Sequence, residues 1–311
     1  MTLHRTFIAA AALALGACAP ARPALAPAPA RVPLAAALDS IFGDTLFARA
    51  TWGVMFRSLE TGETVYRRNA EKLFVPASNQ KVVTAAFALE TLGPGYRYRT
   101  AVEAEGPVRD GVLTGNLVVR GSGDPTISAR FGGVRPLFRA WADSLRARGI
   151  TRIAGAIVGN DDVFDDVPLG RGWAWDDLEA SYSAEVSGLQ LNEGYVTVRV
   201  APGARPGDPV VATLDPATAY APLEVRAVTG APGSARAVEA TRAASGSGIL
   251  LTGSAPADSA AETFDVSVRD NTLFFATVLR ESLREAGIRV DGPALDNDAR
   301  PDTARRAAQP L

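Results

Sequence analysis

The stretch Phe74-Val75-Pro76-Ala77-Ser78-Asn79-Gln80-Lys81 decides how this chain is read. Beyond it Val82, Ala85, Ala86 and Leu89 recur at helical spacing and Gly93-Pro94 stops the run, which predicts an Ala-rich helix opening at Ser78 and built for burial. Lys81 lies one turn on, on the same face, within reach of the Ser78 hydroxyl. The pair stands out because of what the rest of the chain lacks. The only histidine is His4, the only cysteine is Cys18, and the only lysines are Lys72 and Lys81. The body of the chain therefore has no imidazole for a Ser/His/Asp or Cys/His site, no histidine metal ligand, no disulfide framework and no CxxC motif. A hydrolase made from these residues needs another base for its nucleophile, and an amine beside a serine is the main alternative. The helix start favours that chemistry. Its positive end stabilises an alkoxide and, together with burial, disfavours the ammonium, while the Ser78 N–H is an expected oxyanion donor. A plainer reading stays open here, with Ser78 as a helix cap and Lys81 as solvated surface.

The 311 residues, 47% of them apolar, suffice for one large or two modest cores, and 32 basic against 34 acidic residues leave no basic face for nucleic acid. At the N-terminus, Met1 to Arg5 is positive and Phe7 to Leu15 is apolar but too short to span a bilayer. Leu15-Gly16-Ala17-Cys18 then resembles a lipoprotein lipobox, which makes Cys18 the candidate lipidation site and residues 1–17 the signal peptide. Ordinary signal cleavage with an incidental cysteine is the alternative. Residues 18–33, almost only Ala, Pro and Arg, form a stiff tether between a membrane anchor and a periplasmic domain. Ala19, in place of Asp, favours outer-membrane sorting by analogy with lipoproteins.

Along the folded part, Leu34 to Phe47 suits an amphipathic helix, and Thr51 to Ser58, the turn Glu60-Thr61-Gly62 and Thr64 to Tyr66 form a β-hairpin. Strands are expected at Arg97 to Ala104 and Val112 to Arg120, a helix from about Arg135 to Arg148, and a strand from Ile150 to Val158. Asp143-Ser-Leu-Arg-Ala-Arg-Gly149-Ile150 is matched by Glu281-Ser-Leu-Arg-Glu-Ala-Gly287-Ile288, each followed by a short strand carrying Gly155 or Gly292, so two like helix–strand units are expected, with chance resemblance of two ordinary amphipathic helices as the alternative. Between them, residues 194–261 alternate without a long helix and read as a small β-rich insert.

Phe74 to Lys81 with Thr84-Ala85-Ala86 resembles the first motif of penicillin-binding proteins and serine β-lactamases. Gly121-Ser-Gly-Asp-Pro-Thr126, Gly159-Asn-Asp-Asp-Val-Phe164, Gly172-Trp-Ala-Trp-Asp-Asp177 and Tyr182 to Glu193 narrow the resemblance to the D-alanyl-D-alanine carboxypeptidase/endopeptidase family, the low-molecular-mass class C penicillin-binding proteins. The resemblance implies an α/β (α+β) multidomain fold. Its transpeptidase-like, β-lactamase-like domain is interrupted by a second domain, itself carrying a small β-rich third. Placed on this chain, residues 34–98 begin the first domain, 99–193 and 262–298 form the second, 194–261 the third, and 299–311 start the return. It further implies that Ser78 attacks the penultimate D-Ala carbonyl of a peptidoglycan stem peptide or cross-link, that Lys81 takes the serine proton, and that water hydrolyses the acyl-enzyme. β-Lactam antibiotics would acylate the same serine. In the family an acidic residue of the second domain meets the diaminopimelate amine, and the matching stretch is Asn160-Asp161-Asp162, with Asp161 and nearby Phe164 as candidates. An exposed acidic turn is the alternative there. No metal or organic cofactor is implied.

The family also carries a Ser-x-Asn motif and a Lys-Thr-Gly motif. No Ser-x-Asn follows Ser78-Asn79, and Val228-Thr229-Gly230 and Leu251-Thr252-Gly253 lack the lysine. The chain therefore reads as the N-terminal part of such an enzyme, and two other readings stay open. One is a non-catalytic envelope lipoprotein that binds peptidoglycan or docks a partner. The other is a carboxylate-pair glycosidase, permitted by the acidic residues but recommended by no spacing.

Overall fold

The computed structural model describes residues 32–301 and 308–311. Cys18, the signal peptide and most of the tether lie outside the described residues. The chain divides into two compact units, one ending at Pro94 and the other beginning at Gly95.

In the first unit, helix α1 (Leu34–Phe42) is followed by an antiparallel hairpin of strands Val54–Arg57 and Thr64–Arg68, with Phe56 opposite Tyr66. Buried Tyr66 donates its hydroxyl to Asp39 of α1 (2.8 Å) and lies 6.0 Å from the Phe42 ring, which in turn meets Trp52 at 5.1 Å. This aromatic cluster joins helix to hairpin. The helix expected to reach Phe47 ends at Phe42, because the Asp44 carboxylate accepts the Leu46 N–H and starts a separate 3-10 turn, Thr45–Phe47. Helix α2 (Gln80–Leu92) carries the apolar stripe of a helix built for burial but stands uncovered. No residue of it is buried, and Phe87 is 70% exposed, since no described element covers its apolar face.

The second unit is built on two sheets that share strands bent at glycines. The chain runs from Val112–Leu113 to Asn116–Arg120, from Arg152–Ile153 to Ile157–Asn160, and from Arg289–Val290 to Ala294–Asp296, leaving a four-stranded sheet for a five-stranded one each time. Neighbouring copies pair in parallel in both sheets. The bends fall at Gly115, Gly155 and Gly292, with Gly155 N–H donating to the Gly115 carbonyl and Gly292 N–H to that of Gly155, both at 3.0 Å. A Cβ on Gly155 would come within 2.5 Å of the Gly115 carbonyl oxygen, and one on Gly292 within 2.5 Å of that of Gly155. The two continuous strands expected at 112–120 and 150–158 are each broken there, since only glycine lets the backbones approach so closely.

The repeated segments form like units. Helices α3 (Val134–Ala147) and α4 (Asn271–Glu285) each end at a left-handed glycine, Gly149 or Gly287, and lead into the matching strand pair. Phe138 of α3 meets Phe275 of α4 at 5.2 Å, and both are fully buried with Leu117, Ile153, Ile157 and Leu279. Each such side chain contributes about 1.5–3 kcal/mol of burial. Parallel pairing follows from the helical crossovers.

The β-rich segment opens with Tyr195–Ala201, whose Val196, Val198 and Val200 alternate into the core. It lies between antiparallel partners Val211–Asp215 and Glu262–Ser267, so its sheet continues past the residue 261 expected to end it. Further short strands pair as Leu223–Val225, Ile249–Thr252 and Glu239–Arg242, and as Val228–Gly230 with Ser254–Pro256.

Candidate active site

Ser78 sits in a 3-10 turn, Ala77–Asn79, that runs directly into α2 at Gln80. Ala77 immediately before it has φ 45°, a left-handed conformation that costs a non-glycine residue about 1 kcal/mol or more and that clusters at functional turns. The Lys81 amine donates to the Ser78 oxygen at 3.0 Å. Neither the turn nor α2 has a side-chain cap hydrogen bond, so the Ser78 oxygen does not cap the helix, and the geometry favours the amine–hydroxyl pair over the plainer reading. Both side chains are exposed, which corrects the expected burial of the amine. When the amine is neutral, the same contact lets it accept the hydroxyl proton as the oxygen attacks an electrophile.

In the second unit three of the quoted motifs converge. Gly121 N–H donates to the Asn160 carbonyl (3.0 Å) and Gly123 N–H to that of Gly188 (2.7 Å). Phe164 lies over Gly123, where a Cβ would come 2.9 Å from the ring. Asp161 Oδ2 accepts from the hydroxyls of Ser187 (2.9 Å) and Thr272 (2.7 Å). Asp161 thereby lines a cavity of about 170 Å³ with Glu185, Asp270, Asp296 and Asp298, and among the described residues no Arg or Lys lines it. Burial, with the negative charge of Asp270 and Asp161 added, pushes the Asp296 carboxyl up to about 7. Burial and the neighbouring Asp166 push Asp298 up to about 6, and burial raises Asp270 as well. Only Asp161 of this group belongs to the acidic stretch singled out in the sequence. Glu185 lies in the quoted Tyr182 to Glu193 motif, and Asp270, Asp296 and Asp298 come from the start of α4 and the end of the last parallel strand, segments with no shared spacing.

The chain matches the D-Ala-D-Ala carboxypeptidase 3 (S13) family over residues 34–309. It is 36% identical, over 262 residues, to a D-alanyl-D-alanine carboxypeptidase of Actinomadura, covering 82% of this chain and 47% of that protein. It is 26% identical over 156 residues to the D-alanyl-D-alanine carboxypeptidase DacB of Haemophilus influenzae, covering 50% of this chain and 31% of the relative. The chain thus spans about half the length of the first of these relatives and less of the second. The crystal structure of penicillin binding protein 4 (dacB) from Haemophilus influenzae shares its fold, with a TM-score of 0.66 at 22% identity over 83% of this chain and 56% of that one. A match across 34–309 and the Actinomadura likeness, on top of the Ser78–Lys81 pair, place this chain in the D-Ala-D-Ala carboxypeptidase 3 (S13) family.

Proposed function

We propose that this chain supplies the nucleophile of a serine-type D-Ala-D-Ala carboxypeptidase/endopeptidase acting on peptidoglycan stem peptides. The observation that carries the proposal is the 3.0 Å contact between the Lys81 amine and the Ser78 oxygen, next to the strained Ala77. The neutral Lys81 amine takes the hydroxyl proton as the Ser78 oxygen adds to the penultimate D-Ala carbonyl. The C–N bond then breaks, the leaving amine takes up a proton, and an ester joins the peptide to Ser78. Water adds to that ester, the Ser78–acyl bond breaks, and the hydroxyl is restored. The partial positive charge at the start of α2 stabilises the developing alkoxide. A β-lactam ring would open on the same oxygen and leave a slow ester. Asp161 and Phe164 are proposed to face the stem peptide's amine-bearing residue, and Cys18 to carry a lipid that holds the protein on the periplasmic side of a membrane, the outer one by preference.

D-Alanine release from a D-Ala-D-Ala-terminated peptide tests the reading. Ser78→Ala should lower kcat by at least about a hundredfold, and Lys81→Ala should lower it comparably without a matching rise in KM. Release that persists in Ser78→Ala overturns the proposal. Membrane release of Cys18→Ala, against retention of the parent, tests the anchor.

A further inference from the structure

Two half-buried arginines of the second unit share a cavity and have no carboxylate partner. Arg242 and Arg269 line a space of about 380 Å³ with Trp175, Asp176 and Glu179, and it shares no lining residue with the acidic cavity. Among the described residues the Arg269 guanidinium makes no hydrogen bond and no ion pair, and its Nε–H is buried. Arg242 reaches only backbone carbonyls, those of Leu178 at 2.7 Å and Gly246 at 3.5 Å, and its Nε–H is also buried without an acceptor. Glu179 gives its carboxylate to the Arg242 backbone N–H (3.1 Å) and to neither guanidinium. Burial and the charge of Arg269 hold the Arg242 guanidinium below its usual range, so the two cations sense one another. Unmet donors and neighbouring like charges both cost stability, and an anion held by the two side chains removes both costs.

We infer that Arg242 and Arg269 form a binding site for the free carboxylate of a short peptide, in the Gly95–Leu311 unit. The planar fork of a guanidinium matches the two oxygens of a carboxylate or a phosphate. Asp176 and Glu179, lining the same cavity, repel a second negative charge, which favours the singly charged carboxylate over a phosphate dianion. Trp175, 85% exposed, offers apolar surface to the body behind the carboxylate. The arginines are held in place by their backbones. The Arg269 N–H donates to the Ser247 hydroxyl (3.0 Å) and its carbonyl accepts the Tyr220 hydroxyl (2.6 Å), while Arg242 ends the strand Glu239–Arg242. The guanidiniums are thus positioned before any ligand arrives, which lowers the ordering cost of binding.

The test follows the arginine Nε–H resonances of the nitrogen-15-labelled 311-residue chain as sodium N-acetyl-L-alaninate is added, with sodium chloride at equal ionic strength as the reference and thermal unfolding measured in parallel. The L enantiomer separates this site from any D-alanine site at Ser78. The Arg242 and Arg269 signals, assigned by their loss in Arg242→Lys and Arg269→Lys, should shift and saturate at one ligand per chain. At ten times the Kd, Tm should stand about 3–6 °C above the chloride reference. Arg269→Gln should weaken binding by at least about tenfold, with a Tm in chloride no lower than the parent's, because its guanidinium has no bond to lose. Arg269→Lys keeps the charge without the fork and should weaken binding as well. Circular dichroism checks that each variant is folded, and Arg269→Lys carries the test if Arg269→Gln does not fold. No shift of either resonance up to about 100 mM ligand overturns the inference. So do equal shifts with chloride, tighter binding of inorganic phosphate, or binding undiminished in both folded Arg269 variants.

Discussion

Replacing Glu105 by leucine should destabilise the second unit by about 3–5 kcal/mol, the cost of leaving one partner of a buried ion pair without the other. Glu105 and Arg300 are 4% and 7% exposed. The guanidinium grips the carboxylate with two bonds, 3.1 and 2.8 Å, and the Asn116 amide adds a third at 2.7 Å. Asn116 cannot turn away, because its Oδ1 accepts the Ala156 N–H at 2.8 Å beside the glycine bend. Glu105→Leu therefore takes the buried guanidinium's carboxylate away and leaves a fixed amide donor unpaired. For a domain of this size each kcal/mol moves Tm by about 2–4 °C, so the expected fall is roughly 6–20 °C. Adding Arg300→Met removes the charge that Glu105 compensated and should restore most of the loss, leaving a cost of about 1–2 kcal/mol for the unpaired Asn116 amide. Thermal and urea unfolding of the single and double variants, followed by circular dichroism, reads both steps. A single variant within about 1 kcal/mol of the parent, or a double variant no more stable than the single, would refute the reasoning.

Gly155→Ala should lower stability by at least about 2 kcal/mol, because its Cβ would meet Asn116 Oδ1 at 2.4 Å and the Gly115 carbonyl at 2.5 Å; urea unfolding checks it. Phe275→Ala, in the fully buried contact between α3 and α4, should cost about 3–5 kcal/mol, whereas Phe87→Ala on the uncovered face of α2 should change the same midpoint by less than about 0.5 kcal/mol. The Arg152 and Arg289 guanidiniums hold the Asp291 carboxyl below the usual carboxylate range. Its stabilising effect is thus present above the ordinary carboxylate pKa and is lost as pH falls through the folded value. Asp291→Asn should melt below the parent at neutral pH and together with it at strongly acid pH.

What could be read from the sequence was what depends on neighbours in the chain. Ser78 and Lys81 are three residues apart, so helical geometry alone brings amine and hydroxyl together, and the contact is found at 3.0 Å. The twin segments ending at Gly149 and Gly287 likewise showed themselves as a repeat and form like helix–strand units. Bends at Gly115, Gly155 and Gly292 were harder, because alternation on both sides reads as one strand until the partner backbone is in place. Of the acidic cavity only Asp161 and Glu185 lay in stretches the sequence singled out. Asp161, Asp270 and Asp298 come from segments far apart in the chain, and only the parallel sheet and α4 bring them together.

The most direct measurement is the intact mass of the protein containing this chain, isolated from its own cells and incubated with benzylpenicillin. Peptide mapping then locates any adduct. The account predicts one penicilloyl group per chain, on the peptide carrying Ser78, absent in Ser78→Ala and slow to form in Lys81→Ala. No adduct under conditions that acylate a positive-control penicillin target, or an adduct on another residue, would contradict it.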